Sequence, residues 1–155
     1  MEDVKEPILA TVHEAKLISW LADEIWHEHY AGLLSKEQID YMLGKFLTEE
    51  MISEQISGDY KYYLLNFNKQ VVGFMAVVPH ENFLYLSKIY LKKAFRGKGL
   101  ARMGINTAIS EAKACGFNKI QLNVNKDNVD SIAAYKKLGF VVVEALVNDI
   151  GHGFV

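Results

Sequence analysis

Two runs rich in aromatic and β-branched residues, 60–67 and 70–78, are separated only by Asn68 and Lys69. A connection of two polar residues joins strands that lie side by side and run in opposite directions, so the centre of the chain is predicted to be a β-hairpin. No other feature restricts the fold as much. It fixes an antiparallel pair in mid-chain, and everything else must pack around it.

Before the hairpin the hydrophobic period is that of helices. Leu17, Ile18, Leu21, Ile25 and Trp26 fall on one face of a helix over 13–30. A second helical stretch, 35–56, opens at Ser35 with Gln38 three residues on, and a break is expected near Gly44 or Thr48. After the hairpin a third strand, 82–91, runs between Pro79-His80-Glu81 and a cationic, glycine-rich loop. A helix over 100–116 carries Ile105, Ala108, Ile109 and Ala112 inward and stops at Gly116. A strand at 119–124, a helix at 128–138 ended by Gly139, and a strand at 140–146 follow. Strand–helix alternation in this half predicts parallel pairing, while the hairpin makes the first half antiparallel. The expected fold is α/β, a mixed sheet with helices on both faces. With 155 residues and no repeat or low-complexity linker, a single domain over 1–155 is expected. Residues 151–155 read as the start of one more strand, left incomplete.

Charge narrows the function classes. Lys plus Arg total 17 and Asp plus Glu 19, a formal charge of −2, which argues against a generic nucleic-acid binder. A cationic site must therefore be local. Cys115 is the only cysteine, so an intramolecular disulfide and a cysteine-based metal cluster are excluded, and it is expected to be a small apolar filler in a helix. The N-terminus lacks the basic-then-apolar pattern of a signal peptide, and no apolar run is long enough for a bilayer span. A cytoplasmic protein without membrane partners is the expectation. Homodimer formation is left open.

The local cationic site is at 92–104, KKAFRGKGLARMG, with five cations and three glycines. A strand ends at Leu91, and Arg96-Gly97-Lys98-Gly99 leads into a helix at Leu100. The first turn of a helix has amides without intrahelical acceptors and a partial positive charge, and glycines let an anion approach the backbone. The stretch is expected to hold a diphosphate, the plainer alternative being a solvated basic loop with turn glycines. No Gly-Lys-Ser/Thr sequence is present, which excludes a Walker loop, and Arg102 stands where a dinucleotide fingerprint requires its third glycine.

A second segment decides between these. Asn128, Ser131, Tyr135, Gly139 and Phe140 are spaced as Asn-x-x-Ser-x-x-x-Tyr-x-x-x-Gly-Phe. Together with Arg96-Gly97-Lys98-Gly99-Leu100-Ala101, this resembles the GCN5-related N-acetyltransferase (GNAT) superfamily, in which Arg/Gln-x-x-Gly-x-Gly/Ala wraps the pyrophosphate of acetyl-CoA. The resemblance covers 70–146 and is nearest to the bacterial group that includes polyamine acetyltransferases. It implies a mostly antiparallel central sheet whose one parallel pair splays apart, acetyl-CoA as cosubstrate, and no metal.

It also implies a mechanism. An amine of a small molecule or peptide attacks the thioester directly in a ternary complex, through a tetrahedral oxyanion. Arg96, Gly97, Lys98, Gly99, Leu100 and Ala101 hold the diphosphate. The backbone N–H of Leu91 takes the oxyanion, and Ile89 and Leu91 hold the pantetheine arm with main-chain groups. Asn128 and Ser131 belong to the cofactor-binding set, and Lys137 approaches the ribose phosphate, its plainer alternative being a solvated helix lysine. Tyr135 protonates the leaving thiolate, its plainer alternative being an aromatic packed under the sheet.

The sequence departs from the family at the base. Where many members carry a mid-strand glutamate stands Ser87, so deprotonation must pass through a water or another group. Glu81, His80, His27 and His29 are candidates by type. His27 and His29 are two apart and point in different directions on a helix, which argues against a two-histidine metal site. Trp26, Tyr30 and Tyr90 line either an acceptor pocket or the core. Asp23-Glu24 and Glu49-Glu50 could attract a cationic polyamine. The competing readings are a catalytically weak acyl-CoA sensor and a nucleotide-binding domain.

Overall fold

The computed structural model describes residues 6–124 and 129–140. They divide into two compact units, one ending at Gln121 and the other beginning at Leu122.

In the first unit, β1 (Ile8–Leu9) and a 3₁₀ turn (Val12–Glu14) lead into α1 (Ala15–Tyr30). Ile18, Leu21, Ala22, Ile25 and Trp26 recur at helical spacing along α1 and are all buried. α2 (Lys36–Phe46) starts at a reciprocal cap. Gln38 N–H donates to the Ser35 hydroxyl at 3.1 Å, and Ser35 N–H donates to Gln38 Oε1 at 2.9 Å. Thr48 ends the stretch and caps α3 (Glu49–Ser57) by accepting from Met51 N–H. The helical region expected over 35–56 is therefore two helices, parted at Thr48 because its side chain satisfies the next helix's first amides.

The hairpin forms as expected, from β2 (Lys61–Phe67) and β3 (Gln70–Pro79). Asn68 and Lys69 have φ of 51° and 66°, the two left-handed residues a type I′ turn requires. After β4 (Leu84–Leu91) come a 3₁₀ turn (Lys93–Phe95), α4 (Leu100–Ala114) and β5 (Ile120–Gln121). The sheet order is β1-β2-β3-β4-β5, antiparallel except for β4 with β5. This is the mixed, mostly antiparallel sheet predicted.

Helices cover both faces of the sheet, and β3 is accordingly buried on both from Val72 to Val77. Cross-strand partners point the same way, so Tyr62, Phe74, Lys88 and Tyr90 share one face. On that face a chain of aromatic contacts runs from Trp26 of α1 to Tyr90 (5.9 Å), from Tyr90 to Phe74 (5.5 Å) and from Phe74 to Tyr62 (6.3 Å). On the other face α4 comes close enough that a Cβ on Gly104 would lie 3.2 Å from Ile89 Cδ1 and 3.3 Å from Met75 Sδ. Gly73 is the tightest point within the sheet, since a Cβ there would fall 2.2 Å from the Tyr90 carbonyl oxygen.

Three features differ from expectation. β1 carried no periodic signal, being two exposed residues held to Leu64 and Tyr63 of β2 by main-chain pairing. The strand expected over 119–124 pairs only at Ile120 and Gln121. Cys115 is exposed at the C-cap of α4 rather than a buried filler, because the helix ends there. Gly116 (φ 83°) follows, with Phe117 N–H bonding back to Ala112 C=O at 2.8 Å. The second unit contains α5 (Val129–Lys137), which ends the same way. Gly139 has φ 107°, its N–H donates to Lys136 C=O, and Phe140 N–H donates to Tyr135 C=O at 3.0 Å. Strand predictions past Phe140 lie outside the described residues. No helix among the described residues is long and apolar enough to cross a membrane.

Candidate active site

β4 supplies the first part of the site. Its pairing with β3 slips between Ala76↔Lys88 and Val77↔Leu86, leaving Ser87 as the extra residue of a bulge. Past the bulge, the Tyr90 carbonyl faces β3 and Lys92 N–H donates to Val72 C=O at 2.9 Å. Strand alternation then turns the main-chain groups of Ile89 and Leu91 toward the opposite edge. On that edge β5 pairs only with Leu84 and Tyr85, and among the described residues no strand pairs beyond them.

The chain leaves β4 into the cationic loop. Gly97 (φ 77°) and Gly99 (φ 83°) both adopt left-handed backbone, which explains the two glycines of Arg96-Gly97-Lys98-Gly99. Gly99 is the N-cap of α4 and offers no side-chain cap, and the first intrahelical bond is Met103 N–H to Gly99 C=O. The amides of Leu100 and Ala101 thus precede the first intrahelical donor, as an anion cradle requires. Beneath the loop, Leu100 packs with Phe67 and Val72, joined by Leu91 and Phe95. Lys98 Nζ stands 5.1 Å over the Phe67 ring.

The last turns of α1 meet the same loop. Lys92 Nζ pairs with Glu24 at 2.9 Å, Lys93 N–H donates to Glu28 Oε1, and Arg96 Nη2 donates to His29 Nδ1 at 3.3 Å. Burial first, and then the Arg96 charge, push the His29 imidazole below its usual pKa, so it is neutral at pH 7.

The remaining candidates separate by location. His27 lies between α1 and α2, its Nε2 3.1 Å from Asp40 and its Nδ1 2.8 Å from the Asp23 carbonyl; Lys36 also pairs with Asp40. His80 stacks on Phe83 at 4.9 Å. Trp26 is buried, while Tyr30 and Tyr90 are half-buried beside it. Burial raises the Tyr30 pKa. In the second unit Tyr135 is half-buried, edge-on to Phe140 at 5.9 Å, so Gly139 and Phe140 have a local role in closing α5. Lys137 is exposed on α5, and Ser131 lies on its first turns. Asn128 lies outside the described residues.

Lys88 escaped the sequence reading. Its Nζ donates to the Tyr62 hydroxyl at 3.2 Å and stands 5.7 Å and 5.4 Å over the Tyr60 and Tyr62 rings. The Tyr62 hydroxyl donates in turn to Gln55 of α3. Burial pushes Lys88 down to about 8. The available signal was a lysine at an inward position of an otherwise apolar strand, LYLSKIYL.

Among the described residues, a bulged strand with no neighbour past Tyr85 on its outer edge runs through a left-handed glycine loop into a helix without a side-chain cap, which defines an α/β protein whose sheet leads directly into helix amides that lack intrahelical acceptors. The chain belongs to the acetyltransferase (GNAT) family, whose model matches residues 20–140. It is 38% identical over 82 residues to a mycothiol acetyltransferase of Corynebacterium glutamicum (strain R), a match covering 51% of this chain and 27% of that protein. This chain thus spans about a quarter of that relative's length. It is 23% identical over 137 residues to a spermidine N(1)-acetyltransferase of Thermoplasma acidophilum, covering 85% of each. Its fold is similar to that of the PaiA N-acetyltransferase from Thermoplasma acidophilum in complex with coenzyme A. There the TM-score is 0.78 at 20% identity, with 99% of this chain and 94% of that one covered.

Proposed function

We propose that the whole chain acts as one acetyl-CoA-dependent N-acetyltransferase domain, located in the cytoplasm, whose acceptor is a primary amine of a small, polyamine-like molecule. The observation that carries this reading is the loop of Arg96, Gly97, Lys98, Gly99, Leu100 and Ala101 at the start of α4, directly after β4. Acetyl-CoA supplies an activated acetyl thioester. The loop backbone, with Arg96 and Lys98, binds its diphosphate. Ile89 and Leu91 hold the pantetheine arm through the main-chain groups turned to the open edge, and Leu91 N–H takes the charge that develops on the carbonyl oxygen. Asn128, Ser131 and Lys137 complete the cofactor contacts. The amine nitrogen forms a bond to the carbonyl carbon, the C–S bond breaks, and Tyr135 gives its proton to the sulfur. Ser87, at the bulge, holds a water that collects the amine proton. A relative named for spermidine supports the polyamine-like class, and peptide amines are the second class to assay.

Gly99→Asp tests the cradle, because it places a side chain on a left-handed backbone and a negative charge at the anion site. Coenzyme A affinity should collapse while the fold persists, as titration calorimetry and circular dichroism would register. Unchanged affinity in the folded variant rejects the assignment. Tyr135→Phe keeps the ring that meets Phe140 and removes only the hydroxyl. Cofactor affinity and melting temperature should hold while kcat falls by ~10²-fold. Equal turnover would return Tyr135 to helix packing alone.

One observation favours a second reading. A serine at the mid-strand position gives no strong base, which suits a sensor that binds acyl-CoA without turnover. Steady-state thiol release with an amine panel decides between the two.

A further inference from the structure

We infer that His29 is a positioning residue for cofactor binding: its neutral imidazole holds the Arg96 guanidinium in the orientation the loop presents to a diphosphate. This rests on the reading of the 96–101 loop as the diphosphate site.

The geometry begins in the last turns of α1, which reach the loop at three successive points. Glu24 pairs with Lys92, and Glu28 Oε1 accepts from Lys93 N–H. The second contact caps the 3₁₀ turn Lys93–Phe95, whose own N-cap, Lys92, makes no side-chain cap bond. These two carboxylates fix the path of the chain as it leaves β4. The third contact, His29 Nδ1 to Arg96 Nη2, sets a side chain instead. Among the described residues it is the one side-chain hydrogen bond made by Arg96.

The choice of acceptor matters. Arginine carries five N–H donors and no acceptor. A carboxylate at this point would orient the guanidinium and also neutralise it, competing with the incoming diphosphate. A neutral imidazole nitrogen accepts one N–H, adds no charge, and leaves the other donors and the full positive charge for the ligand. The groups facing His29 keep it in that form: Arg96 from the loop disfavours protonation, as does burial, while Glu28 on its own helix favours it and the Tyr30 ring packs edge-on at 4.7 Å. A proton on Nδ1 would replace the acceptor with a donor facing a cation and release Arg96.

The test measures coenzyme A dissociation constants by calorimetry for the wild type, His29→Ala, His29→Gln, Arg96→Ala and the His29→Ala/Arg96→Ala pair. His29→Ala should weaken binding about fivefold, the loss expected when one orienting hydrogen bond worth about 1 kcal/mol is removed. Glutamine, whose amide oxygen also accepts without charge, should recover most of the loss. In the Arg96→Ala background, His29→Ala should change nothing further. Burial and the Arg96 charge hold His29 below the ordinary imidazole range, so wild-type affinity should fall only once acidification protonates it, and His29→Gln should lack that fall. Wild-type affinity in His29→Ala, or an equal loss with and without Arg96, overturns the inference. Gly99→Asp separates the two levels: if it too binds normally, the loop reading fails and this inference with it. If it abolishes binding while His29→Ala does not matter, only the role of His29 is lost.

Discussion

Gly73→Ala is expected to destabilise the fold by about 3 kcal/mol, the upper end for overpacking. The added Cβ would fall 2.2 Å from the Tyr90 carbonyl oxygen, and 3.1 Å from Leu91 Cα. Both are main-chain atoms, so no rotamer change relieves the clash and β3 must move away from β4. The movement falls on the stretch of β4 carrying Ile89 and Leu91, so cofactor binding should weaken in whatever fraction stays folded. Gly104→Ala is the matched control. Its Cβ would meet the side chains of Ile89, Met75 and Leu65 at 3.2 Å, 3.3 Å and 3.6 Å, and no main-chain atom is among these three nearest neighbours. Alanine also gains about 1 kcal/mol over glycine inside a helix, so the net change should stay within about 1 kcal/mol. Urea unfolding of both variants makes the comparison. Equal midpoints would show that the β3–β4 approach does not constrain position 73.

Lys88→Met is expected to stabilise the protein at pH 7 by roughly 1–3 kcal/mol. The lysine is pushed from its ordinary 10.5 down to about 8 because burial disfavours the ammonium. A displacement of that size corresponds to about 3 kcal/mol, part of which the Tyr60 and Tyr62 rings offset. The folded pKa is below the unfolded one, so the folded state binds fewer protons. The cost is therefore full below about 8 and disappears as pH rises toward 10.5. The advantage of methionine should be largest at pH 7 and shrink by pH 10. Tyr62 keeps its bond to Gln55 in the variant, so no buried hydroxyl is stranded. Unfolding midpoints at both pH values test this. A methionine variant less stable at pH 7, or an advantage unaffected by pH, would mean that the buried charge is not what position 88 costs the fold.

What could be read from the sequence was carried by short-range chemistry. The turn at Asn68-Lys69, the cap at Ser35, the break expected near Gly44 or Thr48, and the stops at Gly116 and Gly139 each depend on residues within about a turn of one another. Their side chains and backbone angles determine the outcome before anything distant arrives. The helical stripe of α1 and the strand runs of the hairpin are legible for the same reason, since period alone tells which face turns inward. The glycine loop also belongs here, because left-handed backbone at Gly97 and Gly99 is a property of those residues.

The tertiary structure decided what depends on partners far along the chain. Ile8 and Leu9 become a strand only because β2 offers a free edge, and residues near 120 pair for just two positions beside β4. The bulge that isolates Ser87 arises from the register of β4 on β3 and leaves no mark in either strand's composition. Gly73 looks like a weak point in a strand until β4 pairs Leu91 with it and brings the Tyr90 carbonyl against its Cα. Lys88 shows in the sequence only as a lysine in a mostly apolar strand, and its lowered pKa comes from burial that exists only once the chain has folded. His29 is the same case for function: as a histidine it suggested a base, and only its contact with Arg96, 67 residues later, gives it a different use. Periodicity and turn chemistry are local, whereas register, desolvation and charge pairing are properties of space, and space is assigned only when the chain has folded.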